Sequence, residues 1–180
     1  MAQKRAILLV YALSWLGLAA LLLAVGAAPL LQERYPRWSA FLYSLFAPLC
    51  HQNPERCFRL DGRPLAVCAR CLGVYLGFGG GLVLYAFVRG FRSVRLPSRP
   101  LFLVASAPTA VDVAGNILGF WASPAGMRFA MAAAWGLILP FFFVTGLVEA
   151  LARKDLELNP SDKKPKIAAR RSGSNGDLGG

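Results

Sequence analysis

The chain has 180 residues, 56% of them hydrophobic, with a mean hydropathy of +0.49 and a net charge of +11. That apolar share exceeds what a soluble domain carries and excludes an ordinary water-soluble enzyme fold. The positive charge points to nucleic acid only if it is spread over a folded surface, and here it is not.

Four apolar runs account for the composition. Ala6–Leu31 has no charge; Leu65–Val88, Leu101–Trp121 and Phe129–Leu151 have one each, Arg70, Asp112 and Glu149. Each run is about 20 residues or more, enough to cross a hydrocarbon core of about 30 Å at 1.5 Å per residue. The predicted fold is therefore all-α: an integral membrane four-helix bundle over 1–158, with spans at about 6–31, 65–88, 101–121 and 129–151.

Charge placement sets the expected topology. Lys4 and Arg5 precede the first run; Arg89, Arg92, Arg95 and Arg99 link the second and third; Arg153, Lys154, Lys163, Lys164, Lys166, Arg170 and Arg171 follow the fourth. Thirteen of the twenty cationic residues thus share one side, as cytoplasmic loops do. Both termini are expected in the cytoplasm of a bacterial inner (plasma) membrane. The bilayer is the expected partner and nucleic acid is not. The first run exceeds a signal peptide's apolar region of about 7–15 residues and reads as an uncleaved helix. Residues 159–180, basic and ending in Gly and Ser, read as a disordered cytoplasmic tail.

The long first extracytoplasmic segment contains a second apolar stretch, Trp38–Leu49, too short to span. It reads as an extra interfacial or re-entrant helix, stopped at Pro48, that carries Cys50 and His51 to the membrane boundary. In the second run Gly73, Gly77 and Gly81 recur every four residues, a face on which helix backbones approach closely. That face is a candidate for oligomerisation.

Chemistry is concentrated between Cys50 and Cys71, which hold all four cysteines and the only histidine. Cys68 and Cys71, three apart, face nearly the same way at the head of the second span. With Cys50 and His51 they suit a tetrahedral zinc site; Cys57 lies between. The alternatives are a thiol–disulfide couple outside the cytoplasm, with Arg70 and the helix N-terminus lowering a thiol's pKa, or one or two disulfides that only staple the loop. Sulfurs about 3.5–4 Å apart indicate the metal site, and a pair at about 2.05 Å a disulfide.

Asp112 is costly inside a span, about 2.5–3.5 kcal/mol near the centre, and faces a partner or a cavity. Nine residues of helix to Trp121 put it about 13 Å below the outer surface, with Asn116 one turn nearer on the same face. Arg70 and Arg128 open neighbouring spans at the outer end. Asp112 and Arg70 are the candidate catalytic groups, with Gln52, Asn116 and Arg128 expected to converge beside them; a buried structural bridge from Asp112 to Arg70 or Arg128 is the alternative. Glu149 and Arg153 read as an interfacial ion pair at i, i+4.

Cys50-His51-Gln52, Arg56-x-Phe58, Gly62, the run Val67–Gly77 and Pro108…Asp112 together resemble domain-of-unknown-function 2085, small predicted membrane proteins of bacteria and archaea. The resemblance covers about Ala47 to Gly136. It carries over to Cys50, His51, Gln52, Cys68, Arg70, Cys71 and Asp112 and implies no reaction. Val113 stands where that pattern has Gly, Asn116 near its Gln, and Ser123–Arg128 is a loose version of its last element. The chain also resembles the four-helix quinone-reducing enzymes that generate disulfides, which place a CxxC at the outer start of their second span. Their second cysteine pair has no counterpart in Trp121–Met127.

Three functions follow as expectations. The first is a membrane protein with a zinc-like Cys/His site, serving a lipophilic substrate if it is an enzyme. The second is a thiol–disulfide oxidoreductase using quinone, and the third a non-enzymatic transporter or assembly subunit.

Overall fold

A computed structural model describes residues 2–89 and 99–158. It is mostly helical: α1 (Ala2–Leu30), α2 (Pro36–Phe46), α3 (Ala69–Arg89), α4 (Arg99–Ile117) and α5 (Ala125–Leu158). Three of these are long and apolar enough to cross a membrane, within α1, α3 and α5; α4 carries a shorter apolar stretch, Phe102–Ile117. The expected tail at 159–180 and the basic link at 90–98 lie outside the described residues, as does the side chain of Arg153.

Much of the exterior is apolar. Leu16, Leu23, Phe87, Leu103, Ile117 and Phe120 are all more than two-thirds exposed. Large apolar side chains so exposed and so many suit hydrocarbon better than water.

The helices that differ from the sequence expectation do so for local reasons. The third apolar run was expected to stay helical to Trp121, but α4 ends at Ile117. Gly119 takes a left-handed backbone (φ 76°), and the Phe120 N–H donates to the Gly115 carbonyl at 3.0 Å. This is a Schellman-type end, for which glycine has no Cβ penalty. The second run was expected to begin at Leu65, yet α3 begins at Ala69; Leu65 is extended, its N–H bonded to the Phe58 carbonyl at 2.8 Å. Cys68 therefore precedes the first turn of α3, and its carbonyl accepts from the Leu72 N–H at 3.0 Å.

Helix α2 starts with proline at its first position, where the missing N–H costs nothing. It packs on α1 through buried Ser39, whose hydroxyl donates to the Ala28 carbonyl at 2.7 Å. Trp38, Phe41 and Leu45 stay exposed on its other face. After Phe46 the chain turns, with the Cys50 N–H bonded back to the Phe46 carbonyl at 2.9 Å. A two-stranded hairpin then follows, β1 (Arg59–Leu60) with β2 (Arg63–Pro64), paired Arg59 to Pro64 and Leu60 to Arg63. Asp61 and Gly62 form its tip at φ 53° and 74°, the pair that a two-residue hairpin turn demands.

The most extensive helix contact is between α3 and α5. A Cβ on Gly73, Gly77 or Gly81 would collide with the carbonyl oxygens of Phe129, Ala133 and Leu137 respectively. Gly136 meets α3 in return, 2.6 Å from the Val74 carbonyl oxygen by the same test. The glycine face is thus spent on α5 of the same chain. Below the site the bundle closes on Ile7, Val10, Leu82, Tyr85, Val144 and Val148; α4 lies against α5.

Candidate functional site

Three thiols meet at the head of α3. Cys50 comes from the turn after α2, Cys68 immediately precedes α3, and Cys71 lies in its first turn. Their sulfurs all lie within 4.8 Å of one another. The Cys68 and Cys71 sulfurs are 3.7 Å apart, and the Cys68 N–H donates to the Cys50 sulfur at 3.2 Å. Cys50 belongs to an apolar cluster with Val25, Ala28, Phe46, Ala66 and Val67, so packing fixes its position.

Gln52 explains how two distant segments are held together. Its backbone is left-handed (φ 50°), and its side-chain amide donates to the Tyr43 carbonyl at 2.7 Å and the Ala66 carbonyl at 2.9 Å. One residue thereby buckles α2 to the run-in of α3. Tyr43 adds a second tie, its hydroxyl donating to the Pro64 carbonyl at 2.5 Å. Gln52 thus has its donors on backbone carbonyls, with the site's geometry depending on them.

His51 is exposed and lines a cavity that the three thiols also line, but it is not part of the group of mutually close ligand atoms. Cys57 is buried and also outside that trio. Burial pushes its thiol up to about 11, with the neighbouring Cys50 and Cys68 adding to the rise. Cys68 behaves oppositely. Its hydrogen bond with the Cys71 thiol, aided by the N–H groups of Cys71 and Arg70 and by the Cys50 thiol, outweighs burial and holds it well below the ordinary thiol range. In metal-free, reduced protein, Cys68 should therefore alkylate at nearly constant rate from pH 7 to 9. Cys57 should accelerate about tenfold per pH unit, because its thiolate is a minor species that grows in that proportion until the pH nears about 11. Peptide mass spectrometry after timed iodoacetamide treatment reads both. Equal rates at pH 7.5 would sink this assignment.

A buried polar network stands behind the thiols. Asp112 is 3% exposed; Arg70 and the Ser123 hydroxyl both donate to its carboxylate. The Asn116 amide donates to Asp112 Oδ1 at 3.1 Å, to the Asp112 carbonyl at 2.7 Å and to Ser123 Oγ at 2.9 Å. Arg128 Nη2 donates to Asn116 Oδ1 at 2.7 Å. Arg70, Asp112, Asn116 and Arg128, from three helices, are thus brought into one connected set. Both Asp112 oxygens are engaged, so the carboxylate is placed to orient Arg70. Ser123, which the sequence placed only in a loose version of the family's last element, is the hub that closes the loop onto α4. The available signal was a lone hydroxyl in the apolar turn Phe120–Pro124.

Between thiols and network lies a cavity of about 220 Å³, whose wall includes Cys50, Cys68, Cys71, His51, Arg70 and Arg128. Arg56, from the short helical turn Pro54–Arg56, also lines it. Three thiols, two of them at a helix N-terminus, therefore share one cavity wall with three guanidinium groups.

The chain is similar to an uncharacterized protein of Methanocaldococcus jannaschii, with 31% identity over 116 residues covering 64% of this chain and 74% of that one. An uncharacterized protein of Methanothermobacter thermautotrophicus is 34% identical over 84 residues, 47% of this chain and 74% of its own. No solved structure matches. The family model described as predicted membrane protein (DUF2085) matches residues 50–142, a stretch that begins at Cys50 and takes in the remaining thiols, Asp112, Ser123 and Arg128. The chain belongs to this family of predicted membrane proteins.

Proposed function

We propose that this is a multi-pass membrane protein carrying a zinc-like metal centre on three thiolates, Cys50, Cys68 and Cys71, at its extracytoplasmic face. The observation that carries the reading is the sulfur geometry. A tetrahedral site with zinc–sulfur bonds of about 2.3 Å has edges of about 3.8 Å, close to the 3.7 Å between Cys68 and Cys71. A disulfide requires about 2.05 Å. Three protein ligands are the number that leaves zinc one open position, and His51 stands on the cavity wall as the fourth candidate.

The arrangement sits in a four-crossing bundle in this reading. At 19 residues α4 extends about 28 Å, close to one hydrocarbon thickness. With four crossings, the cationic sequences at both termini and in the 89–100 link fall in the cytoplasm. The thiols then lie outside, and α2 rests on the interface through Trp38, Phe41 and Leu45. When bound, the metal supplies Lewis acidity towards a water or a carbonyl. The chain's own groups hold that position: Gln52 fixes the Cys50 turn, and Asp112 aims Arg70 at the cavity.

Purified protein should contain about one zinc per chain, and Cys68→Ser should lose most of it, because three ligands cannot become two without collapse of affinity. Elemental analysis of both decides the matter; wild type without stoichiometric metal ends the proposal.

One observation favours a second reading. An apolar groove of about 440 Å³ lies between α1, α3 and α5, reaching Tyr75 one turn below Cys71. A quinone seated there would take two electrons and two protons from the Cys68–Cys71 dithiol, leaving a disulfide and a quinol. Thiol trapping with and without added quinone tests it; thiols that never change state exclude it.

A further inference from the structure

The cations of this cavity outnumber what the network uses. Arg56, Arg70 and Arg128 all line it, while Asp112 is the carboxylate that the network sets against them. Asp112 is engaged by Arg70, Ser123 and Asn116. Arg128 is 7% exposed, and its Nη2 bonds to the neutral amide oxygen of Asn116. Among the described residues its buried Nε has no partner. An anion in the cavity does not touch that Nε, but by its charge it offsets the cost of burying the guanidinium.

Two further features converge on the same point. Arg70 lies in the first turn of α3 and Arg128 in the first turn of α5, so two helix N-termini add partial positive charge beside the guanidiniums. The cavity, at about 220 Å³, falls below the 300–1,000 Å³ of pockets for drug-sized ligands. It suits a compact group. Guanidinium forks match tetrahedral oxyanions through paired N–H···O bonds.

We infer that the cavity beside the thiols is a binding site for a dianionic phosphate group, held by Arg128 and Arg70 with Arg56 closing over it. The ligand is either free phosphate or the phosphomonoester head of a membrane lipid. The site deepens the metal reading by naming what occupies the space next to it, but its donors belong to the protein and do not require the metal.

The test uses the full chain in detergent, zinc-loaded and metal-stripped, titrated with inorganic phosphate and separately with dihexanoyl phosphatidic acid. Chloride at matched ionic strength and dihexanoyl phosphatidylcholine are the references, and binding is read by calorimetry. Saturable binding of inorganic phosphate identifies a free-ion site; binding of phosphatidic acid alone identifies a lipid head-group site. Exposed Arg56 is the variant least able to disturb folding, and Arg56→Gln should weaken binding about tenfold, as loss of one charge-assisted contact does. Arg128→Gln, where it folds, should abolish it. Arg59→Gln, an exposed arginine of the adjacent hairpin, should change it less than about twofold, since exposed charges outside a site contribute little. Absence of binding to both probes overturns the inference, as does equal weakening by Arg59→Gln and Arg56→Gln. Binding retained by stripped protein upholds the phosphate site even if the metal reading fails. Loaded protein that binds neither probe overturns the site while leaving the metal reading intact.

Discussion

Replacing Asp112 by alanine should lower stability by about 3–5 kcal/mol, the cost of leaving one partner of a buried ion pair uncompensated. Asp112 is 3% exposed and the Arg70 side chain 22%, so solvent screening does little to soften the loss. The same substitution removes the acceptor of the Ser123 hydroxyl and of the Asn116 amide. It therefore unties α3, α4 and the turn before α5 together. For a protein of this size, 1 kcal/mol moves the unfolding midpoint by about 2–4 °C, so a fall of roughly 10 °C is expected in detergent. A double variant, Arg70→Met with Asp112→Leu, should be more stable than Asp112→Ala, because it removes both charges instead of stranding one. Asp112→Ala melting within a degree of wild type would show that the network carries no stability. Elemental analysis separates orientation from structure: if Asp112 aims Arg70 at the cavity, zinc content should survive in whatever fraction remains folded.

The second large effect is expected at Gly77. A Cβ there would collide with the Ala133 carbonyl and stand 2.8 Å from the Ala133 Cα, both backbone atoms that no side-chain rotation can move. The helices must separate, and Gly77→Ala should cost about 1–3 kcal/mol, the usual cost of overpacking a close contact. Gly77→Leu should prevent recovery of folded protein. Gly17 and Gly26 on α1 are the controls, because a Cβ at either meets nothing within 4 Å. Their alanine variants should be neutral or slightly stabilising through helix propensity, worth up to about 1 kcal/mol. If Gly17→Ala and Gly77→Ala lower the midpoint equally, the α3–α5 contact is not what holds the bundle. The site should register the Gly77 change too. Arg70 and Cys71 ride on α3, with Cys68 at its head, and Arg128 rides on α5, so a shift between these helices changes the shape of the cavity.

The residues show why some of this was legible in advance and some was not. Long uncharged runs and glycines at a four-residue spacing act through local periodicity, and both α1 and the α3 face appear where the sequence puts them. Boundaries were less legible. Cys68 lies before α3 instead of inside it because Leu65 bonds to Phe58, a contact across the hairpin. The end of α4 was written in Gly119, but only the left-handed backbone there shows that the glycine acts as a stop. The Asp61–Gly62 hairpin had a signal in the sequence, a turn dipeptide, whose Gly62 was read only as part of the family pattern.

By itself the sequence determined the apolar helices, the placement of positive charge and the confinement of all thiols to one segment. Each depends on residues near one another in the chain. Only the tertiary structure decided which of the four cysteines meet and which stands apart, with Cys50 brought to Cys68 and Cys71 by Gln52 and Cys57 left buried outside them. It likewise decided that Ser123 belongs with Asp112 and that Arg128 keeps a donor unpaired among the described residues. Such facts depend on contacts between separate segments, each set by packing and by hydrogen bonds to the backbone. Spacing along one chain holds no record of them.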